Sequence, residues 1–158
     1  MAKILHARTK ARLEQARALL TEYFHSPRCS ICFRDFEAEA GTLPGEYAPP
    51  TGRLLLATYR RQPAGLVGVS KADGEDGVCK MKRLYVRPRF RGKGVGRALA
   101  LAAIAAGRRL GYARMRLWTF PFMKEAIRLY QTLGFDLVQV HKGHKGGRLL
   151  CMQLALRK

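Results

Sequence analysis

The chain has 158 residues, and its 30 lysines and arginines outnumber its 11 aspartates and glutamates, so the formal net charge is +19 at neutral pH. A chain of this length is expected to form one domain over residues 1–158 with a sizeable apolar core. No uncharged apolar run approaches the roughly 18 residues of a transmembrane helix, and the N-terminal segment lacks the apolar stretch of a secretory signal, so we expect a cytoplasmic protein.

The positive charge is spread along the whole chain. A field of this sign attracts nucleic acids, nucleotides and other polyanions in a salt-dependent way. The basic residues run from Lys3 to Lys158 without forming a block, which favours a solvated, arginine-rich surface over a nucleic-acid footprint. Association with nucleic acid or the ribosome is kept as the alternative, and no membrane partner is expected.

Two of the four cysteines, Cys29 and Cys32, form a C-x-x-C pair shortly after His25. A structural zinc site needs four ligands that usually come as two such pairs, whereas Cys79 and Cys151 are isolated. We therefore expect reduced, partly buried thiols and no metal site.

The first third of the chain predicts one strand and two helices. The predicted segments are a strand over residues 4–8, a helix over 10–24, a short helix over 30–40 and a turn-rich loop over 42–52. The short helix is expected to bury Ile31, Phe36 and Ala40.

Three consecutive strands are predicted next, over residues 54–59, 64–69 and 78–86. Residues 61–63 are predicted as the first turn, and the segment 73–77, DGEDG, as the second. Because loops this short bring neighbouring strands back side by side, the three strands should pair antiparallel.

Helices and strands alternate in the remainder of the chain. Residues 95–110 are apolar on nearly every side, which predicts a buried helix with Arg108 and Arg109 at its negative end. Strands are predicted over residues 114–119, 135–140 and 149–156.

Between the first two of these strands, Pro121 is typical of the first turn of a helix and Gly134 of its end. The apolar face of this helix is predicted to consist of Ala126, Ile127, Tyr130 and Leu133. The succession of elements indicates the α/β class, a mixed sheet whose faces are covered by the crossover helices.

Residues 91–97, RGKGVGR, join the third antiparallel strand to the buried helix. The first amides of a helix have no acceptor within the helix, and its dipole is positive there. Glycines allow positive φ angles and let phosphate oxygens approach the backbone closely. Arg91, Lys93 and Arg97 add positive charge, so the segment predicts a seat for a phosphate or pyrophosphate.

Two common nucleotide-binding templates do not fit this loop. A Walker loop requires glycine and then lysine where the chain has Arg97 and Ala98. A dinucleotide fingerprint counted from Gly92 would end on Arg97, and one counted from Gly94 would end on Leu99, where glycine or alanine is required.

The loop resembles instead a motif of the GNAT family of N-acetyltransferases. Arg91-x-x-Gly94-x-Gly96 matches the (Q/R)-x-x-G-x-(G/A) loop with which that family holds the pyrophosphate of acetyl-CoA. The preceding segment KMKRLYVRPRFRGKGVG and the later LYQTLGF, residues 129–135, also stand in the family's order and spacing.

The resemblance implies a GNAT-type mixed, mostly antiparallel central sheet, flanked by about four helices and splayed at the acyl-CoA site. A bulged strand would present its backbone to the pantetheine arm of acetyl-CoA. The cofactor-binding residues it implies are Leu84, Tyr85, Val86, Arg91, Gly92, Lys93, Gly94, Val95, Gly96 and Arg97.

The resemblance also implies a catalytic residue, since Tyr130 matches the tyrosine that serves as general acid to the departing thiolate. Lys80 stands where many relatives carry a glutamate that acts as general base through a water molecule, so that assignment does not transfer. The residues considered as base instead are Glu22, Tyr23, His25, Tyr47, His141 and His144, and none of them is selected. Met123 replaces an asparagine that contacts the cofactor in many relatives.

The expected function is an N-acetyltransferase that moves an acetyl group from acetyl-CoA to a primary amine by direct attack on the thioester, without a metal. The alternative is a non-catalytic acyl-CoA-binding or RNA/ribosome-associated basic module on the same fold. The acceptor, a small molecule or a peptide amine, is not identified by the sequence, although the scarcity of acidic residues disfavours a polycation. Monomer and homodimer both stay open.

Overall fold

The computed structural model describes residues 2–26, 36–142 and 148–157. The helices of these segments are α1 (Lys10–Phe24), α2 (Phe36–Gly41), α3 (Val95–Arg109) and α4 (Lys124–Thr132). The strands are β1 (Ala2–His6), β2 (Arg53–Tyr59), β3 (Gln62–Lys71), β4 (Val78–Val86), β5 (Arg114–Thr119), β6 (Asp136–Lys142) and β7 (Arg148–Ala155). The predicted order of elements is confirmed.

All of these strands belong to one sheet in the order β1-β2-β3-β4-β5-β7-β6. Neighbouring strands pair antiparallel except β4 and β5, which are parallel and joined by the crossover helix α3. The mixed, mostly antiparallel sheet and its helices therefore agree with the predicted fold class.

Alternating residues of the strands supply an apolar cluster on each face of the sheet. On β2, Leu54 and Leu56 join the cluster that contains the buried face of α1, whereas Leu55 and Ala57 join the cluster that contains α3 and Tyr130 of α4. This period of two is the one that places successive strand residues on opposite faces.

Two predicted boundaries are wrong in detail: the turn between β2 and β3 and the start of α4. The turn between β2 and β3 is centred on Arg60 and Arg61, with φ angles of 50° and 67°, so that Pro63 lies inside β3. Pro121 does not lie in the first turn of α4, because that helix begins at Lys124. In both places the hydrogen-bonded ladder or helix, and not the turn-forming residue, sets the boundary.

Helix α3 is less buried than its composition predicts. Leu99, Ala100, Ala103 and Ile104 are buried, but Leu101 is 46% exposed, so the helix has a solvent-facing side. The predicted burial of Ala40 is confirmed, whereas Ile31 and the Phe36 side chain lie outside the described residues.

Cys79 and Cys151 are free and buried, and burial raises the pKa of the Cys79 thiol to about 12. Cys29 and Cys32 lie outside the described residues. Among the residues that the structure describes, no group of three or more potential metal-ligating side chains is present, and no helix is long and apolar enough to cross a bilayer.

Candidate active site

Strand β4 carries a β-bulge in its second half. Its partner β3 pairs Gly68 with Lys82 but Leu66 with Tyr85, so one residue of β3 faces two of β4. Arg83, at the bulge, has a φ of 63°, in the left-handed region. A bulge leaves backbone groups without a ladder hydrogen bond, and it moves the side chains beyond it to the opposite face of the sheet.

The shift changes which cluster each side chain joins. Cys79 and Met81 belong to the cluster around α3, so regular alternation would place Tyr85 there as well. Tyr85 belongs instead to the cluster around α1, whereas Leu84 and Val86 pack towards α3.

Strands β4 and β5 separate at the same point. They are paired only through Val78, Cys79 and Lys80 on β4, although both strands continue further. Among the described strands, the second half of β4 thus has a ladder partner on its β3 side only. An unpaired strand edge of this kind can accept an extended ligand.

The N-terminus of α3 lies just beyond this unpaired edge. Gly94 precedes the helix with a φ of 82°, Gly92 has a φ of 76°, and Gly94 has no side chain to cap the helix. Within the described chain, the amides of residues 92–97 make no hydrogen bond to a carbonyl or side chain. By contrast, the Arg12 amide at the start of α1 donates to the Thr9 hydroxyl at 3.2 Å. Open amides at a helix N-terminus are suited to an anion.

A cavity of about 330 Å³ connects the glycine loop with the splayed strands. All of the predicted cofactor-binding residues except Lys93 line it. The side chain of Lys93 points elsewhere, with its ammonium 5.9 Å from the centre of the Tyr59 ring. Sequence reasoning missed Glu125 and Leu129 of α4, which also line the cavity.

Two arginines of the loop border this first cavity. The Arg91 Nε donates to the Val86 carbonyl at 3.0 Å, and its guanidinium lies 6.0 Å from the centre of the Tyr85 ring. Arg97 donates to the Thr132 hydroxyl at 3.4 Å. Neither has a carboxylate partner within the described chain, so both keep their charge available for a phosphate.

A second cavity, of about 410 Å³, adjoins the first. The residues that line both cavities, and so mark where they meet, are Tyr23, Leu84, Met123 and Ala126. The other described residues that line the second cavity are Lys80, Met81, Lys82, Arg83, Leu117, Trp118, Thr119, Phe120, Tyr130 and Leu149. Met123, which replaces the expected asparagine, accepts a hydrogen bond on its sulfur from the Thr119 hydroxyl at 3.6 Å.

Tyr130 of α4 lies in the wall of the second cavity and is only 7% exposed. Its ring packs edge-on against Phe135, with 5.8 Å between ring centres. Its hydroxyl makes no hydrogen bond to another described residue, and burial raises the pKa of that hydroxyl. A neutral, protonated phenol is therefore held at the border of the site.

The structure places most of the considered bases away from the two cavities. Glu22 is held by Arg87, whose Nη2 lies 2.5 Å from its carboxylate. Tyr47 is buried and donates to Glu39 at 3.3 Å, and His25 caps the C-terminus of α1. Tyr23 alone among the considered residues lines both cavities.

The two remaining candidates give no base either. His141 packs against Trp118, with 5.0 Å between ring centres, and does not line either cavity. His144 lies outside the described residues. Within the described lining of the second cavity there is no carboxylate or imidazole.

Several lining residues of the second cavity were not predicted. Lys82 and Arg83 are consecutive, so a regular strand would direct them to opposite faces, and the bulge allows both to line the cavity. Trp118 lies near the end of β5 and Phe120 just beyond it, and their spacing of two residues was the available signal in the sequence.

Comparison with known proteins identifies the family. The sequence model of the Acetyltransferase (GNAT) family matches residues 13–135. An uncharacterized N-acetyltransferase of Schizosaccharomyces pombe is 32% identical over 92% of this chain and 90% of its own length. The N-acetylaspartate synthetase of Danio rerio is 27% identical over 73% of this chain, which corresponds to 42% of that protein.

Solved structures show the same fold. A GNAT-family acetyltransferase of Staphylococcus aureus has a TM-score of 0.80 at 15% identity and covers 99% of this chain and 100% of its own. An acetyltransferase of Salmonella typhimurium that was solved with its cofactor acetyl-CoA has a TM-score of 0.72 at 21% identity, covering 100% and 95% of the two chains. The chain belongs to the GNAT family and is an acetyltransferase.

Proposed function

We propose that the protein transfers the acetyl group of acetyl-CoA to a primary amine by direct attack of the amine on the thioester. One observation carries the proposal: the cavity beneath the open amides of α3 meets a second cavity that is bordered by a buried tyrosine. A donor and an acceptor can therefore be in contact without a covalent enzyme intermediate.

In the donor cavity, the amides of residues 92–97 with Arg91 and Arg97 would bind the pyrophosphate of acetyl-CoA. The unpaired edge of β4 at Leu84 and Val86 would bind the pantetheine arm as an added strand. Gly92 and Gly94 suit this role because their positive φ angles shape a turn that other residues adopt only with strain.

In the reaction the neutral amine attacks the thioester carbonyl, a C–N bond forms and the C–S bond breaks. Tyr130 would donate its proton to the departing thiolate and would be reprotonated by a proton that the attacking nitrogen loses. An ammonium with an ordinary pKa near 10.4 is neutral in about one molecule in a few thousand at pH 7, so its deprotonation limits the supply of nucleophile.

The same fold and charge would also suit a basic module that binds acyl-CoA or RNA without catalysis. The buried hydroxyl in the wall of the second cavity favours the enzyme, because a bare binder has no use for a protonated phenol there.

The test combines calorimetric binding of CoA with thiol release from acetyl-CoA in the presence and absence of an amine panel. Binding together with amine-dependent thiol release supports the proposal. Binding of CoA without thiol release for any amine identifies the non-catalytic module. Absence of CoA binding contradicts the pyrophosphate site proposed at residues 92–97.

A further inference from the structure

We infer that the acceptor is a small amine that also bears a carboxylate, and that Lys80 determines this specificity. The inference rests on the proposed function and names the class of acceptor that fits the second cavity.

The described lining of the second cavity is strongly unbalanced in charge. It contains the cations Lys80, Lys82 and Arg83, and it contains no aspartate or glutamate. All three cations lie on β4, around the bulge and the splay. A cavity of this sign attracts an anionic group and repels a polycation.

Two of the three cations already have partners. Arg83 donates from Nε and Nη2 to Glu39 at 2.8 and 2.9 Å. Lys82 lies 3.0 Å from a carboxylate oxygen of Glu46. These two side chains therefore contribute a largely compensated charge to the cavity.

Lys80 differs from both, because no hydrogen bond or direct ion pair joins it to a described residue, and the carboxylate that attracts it, Glu46, is already bound by Lys82. It is partly buried on an interior strand, between Ser70 of β3 and Arg116 of β5. Glu75 forms an ion pair with Arg116, the neighbour of Lys80 on β5, at 2.5 Å. A partly buried ammonium that shares one carboxylate with a second lysine is incompletely compensated, so a bound anion would stabilise it.

The remaining walls fit the rest of such an acceptor. Trp118, Phe120 and Leu149 supply aromatic and aliphatic surface for a short carbon chain.

The inference is tested with pairs of acceptors that differ only in charge. Glycine, aspartate and glutamate are compared with glycinamide and with the diamides of aspartate and glutamate, and spermidine serves as the polycation. Rates are expressed per concentration of neutral amine, because amidation also changes the amine pKa. We expect kcat/KM for the carboxylates to exceed that for the amides by about tenfold or more.

Variants of Lys80 assign the preference to this side chain. Lys80→Gln should lose about tenfold in kcat/KM for carboxylates, mainly through KM, and Lys80→Arg should restore part of the loss. Lys80→Glu should reverse the preference towards amides. The control is Lys3→Gln on the edge strand β1, where no change is expected.

The outcomes separate the two proposals. Transfer to amides or spermidine as fast as to carboxylates, or an unchanged preference in Lys80→Glu, overturns the inference and leaves the proposed function standing. Absence of transfer to every amine, with CoA still bound, overturns the proposed function. In that case calorimetry of aspartate against aspartate diamide on the CoA complex still decides the inference, since tighter binding of aspartate supports it and equal binding overturns it.

Discussion

At the scale of single residues, Tyr130 is the side chain whose removal tests the chemistry most directly. We expect Tyr130→Phe to lower kcat by about 10²-fold or more, because the thiolate would leave without a proton donor. CoA affinity should not change, since the ring that packs on Phe135 is kept. The control is Tyr112→Phe, whose hydroxyl donates to the Thr51 carbonyl outside both cavities.

An unchanged kcat in Tyr130→Phe would contradict the assignment of Tyr130 as general acid.

The pH dependence of kcat gives a second check on the same group. Burial raises the pKa of Tyr130 above its ordinary value of 10.0, so the proton is present at neutral pH and is lost only in strongly alkaline solution. The profile of kcat should therefore show no descending limb below about pH 10.

Gly96 allows a graded test of the donor cavity. A Cβ at this position would lie 3.6 Å from Val86 Cγ2 and 4.0 Å from Leu129 Cδ2, which is ordinary contact. Gly96→Ala should therefore keep most of the CoA affinity, whereas Gly96→Leu should lose about tenfold or more by filling the space between these side chains. Gly41→Leu, where nothing lies within 4 Å, is the matched control.

Calorimetry with CoA measures this series, and thermal unfolding reports whether the fold is kept. Equal CoA affinity for the wild type and a folded Gly96→Leu variant would show that the pyrophosphate is not held at this turn.

At the scale of elements, the bulge of β4 is held in place by helix α2. Arg83 at the bulge and Glu39 of α2 form a two-fold hydrogen-bonded ion pair, and their side chains are only 15% and 17% exposed. Breaking such a pair from one side leaves a charge without a partner in a poorly solvated place. The geometry of the site and the stability of the fold are thus coupled here.

We expect Glu39→Gln to lower the free energy of unfolding by about 2 kcal/mol or more, measured by urea denaturation. The comparison is Glu14→Gln, which removes an exposed pair with Arg17 and should cost at most about 0.5 kcal/mol. Equal effects of the two substitutions would mean that the pair does not stabilise the bulge.

Most elements could be predicted from the sequence because their patterns are local. The bounds of β4 and β5 coincide with the predicted strands over residues 78–86 and 114–119, and Gly134, with a φ of 100°, ends α4 as its residue type suggests. The glycine loop could be predicted for the same reason, since its function depends on backbone freedom at consecutive positions.

The bulge could not be predicted from the residues alone. Apolar and charged residues alternate only as far as Lys82, where a second charge, Arg83, follows directly. That break does not fix how the strand continues, because the shift depends on pairing with β3 and on Glu39, far away along the chain. The lining of the second cavity depends on this shift and on the separation of β5. For the same reason the sequence did not predict that Lys82 and Arg83 line this cavity.

At the scale of the whole molecule, the net charge of +19 acts on the approach of ligands. We expect the association rate constant of acetyl-CoA, a polyanion, to fall by about tenfold between low salt and roughly 0.5 M salt, because the Debye length shrinks to a few ångströms. The dissociation rate constant should change much less. Stopped-flow binding measures both, and an association rate that does not depend on salt would contradict electrostatic steering.

The divergence of β4 from β5 also bears on the order of events. Because the two cavities meet at Tyr23, Leu84, Met123 and Ala126 and each has walls of its own, the donor and the acceptor of the proposed reaction need not replace one another in a shared space. On this proposal both are bound at once, and the thiol and the acetylated product leave independently. A gap between two neighbouring strands would then give the enzyme a simultaneous, rather than an alternating, use of its interior.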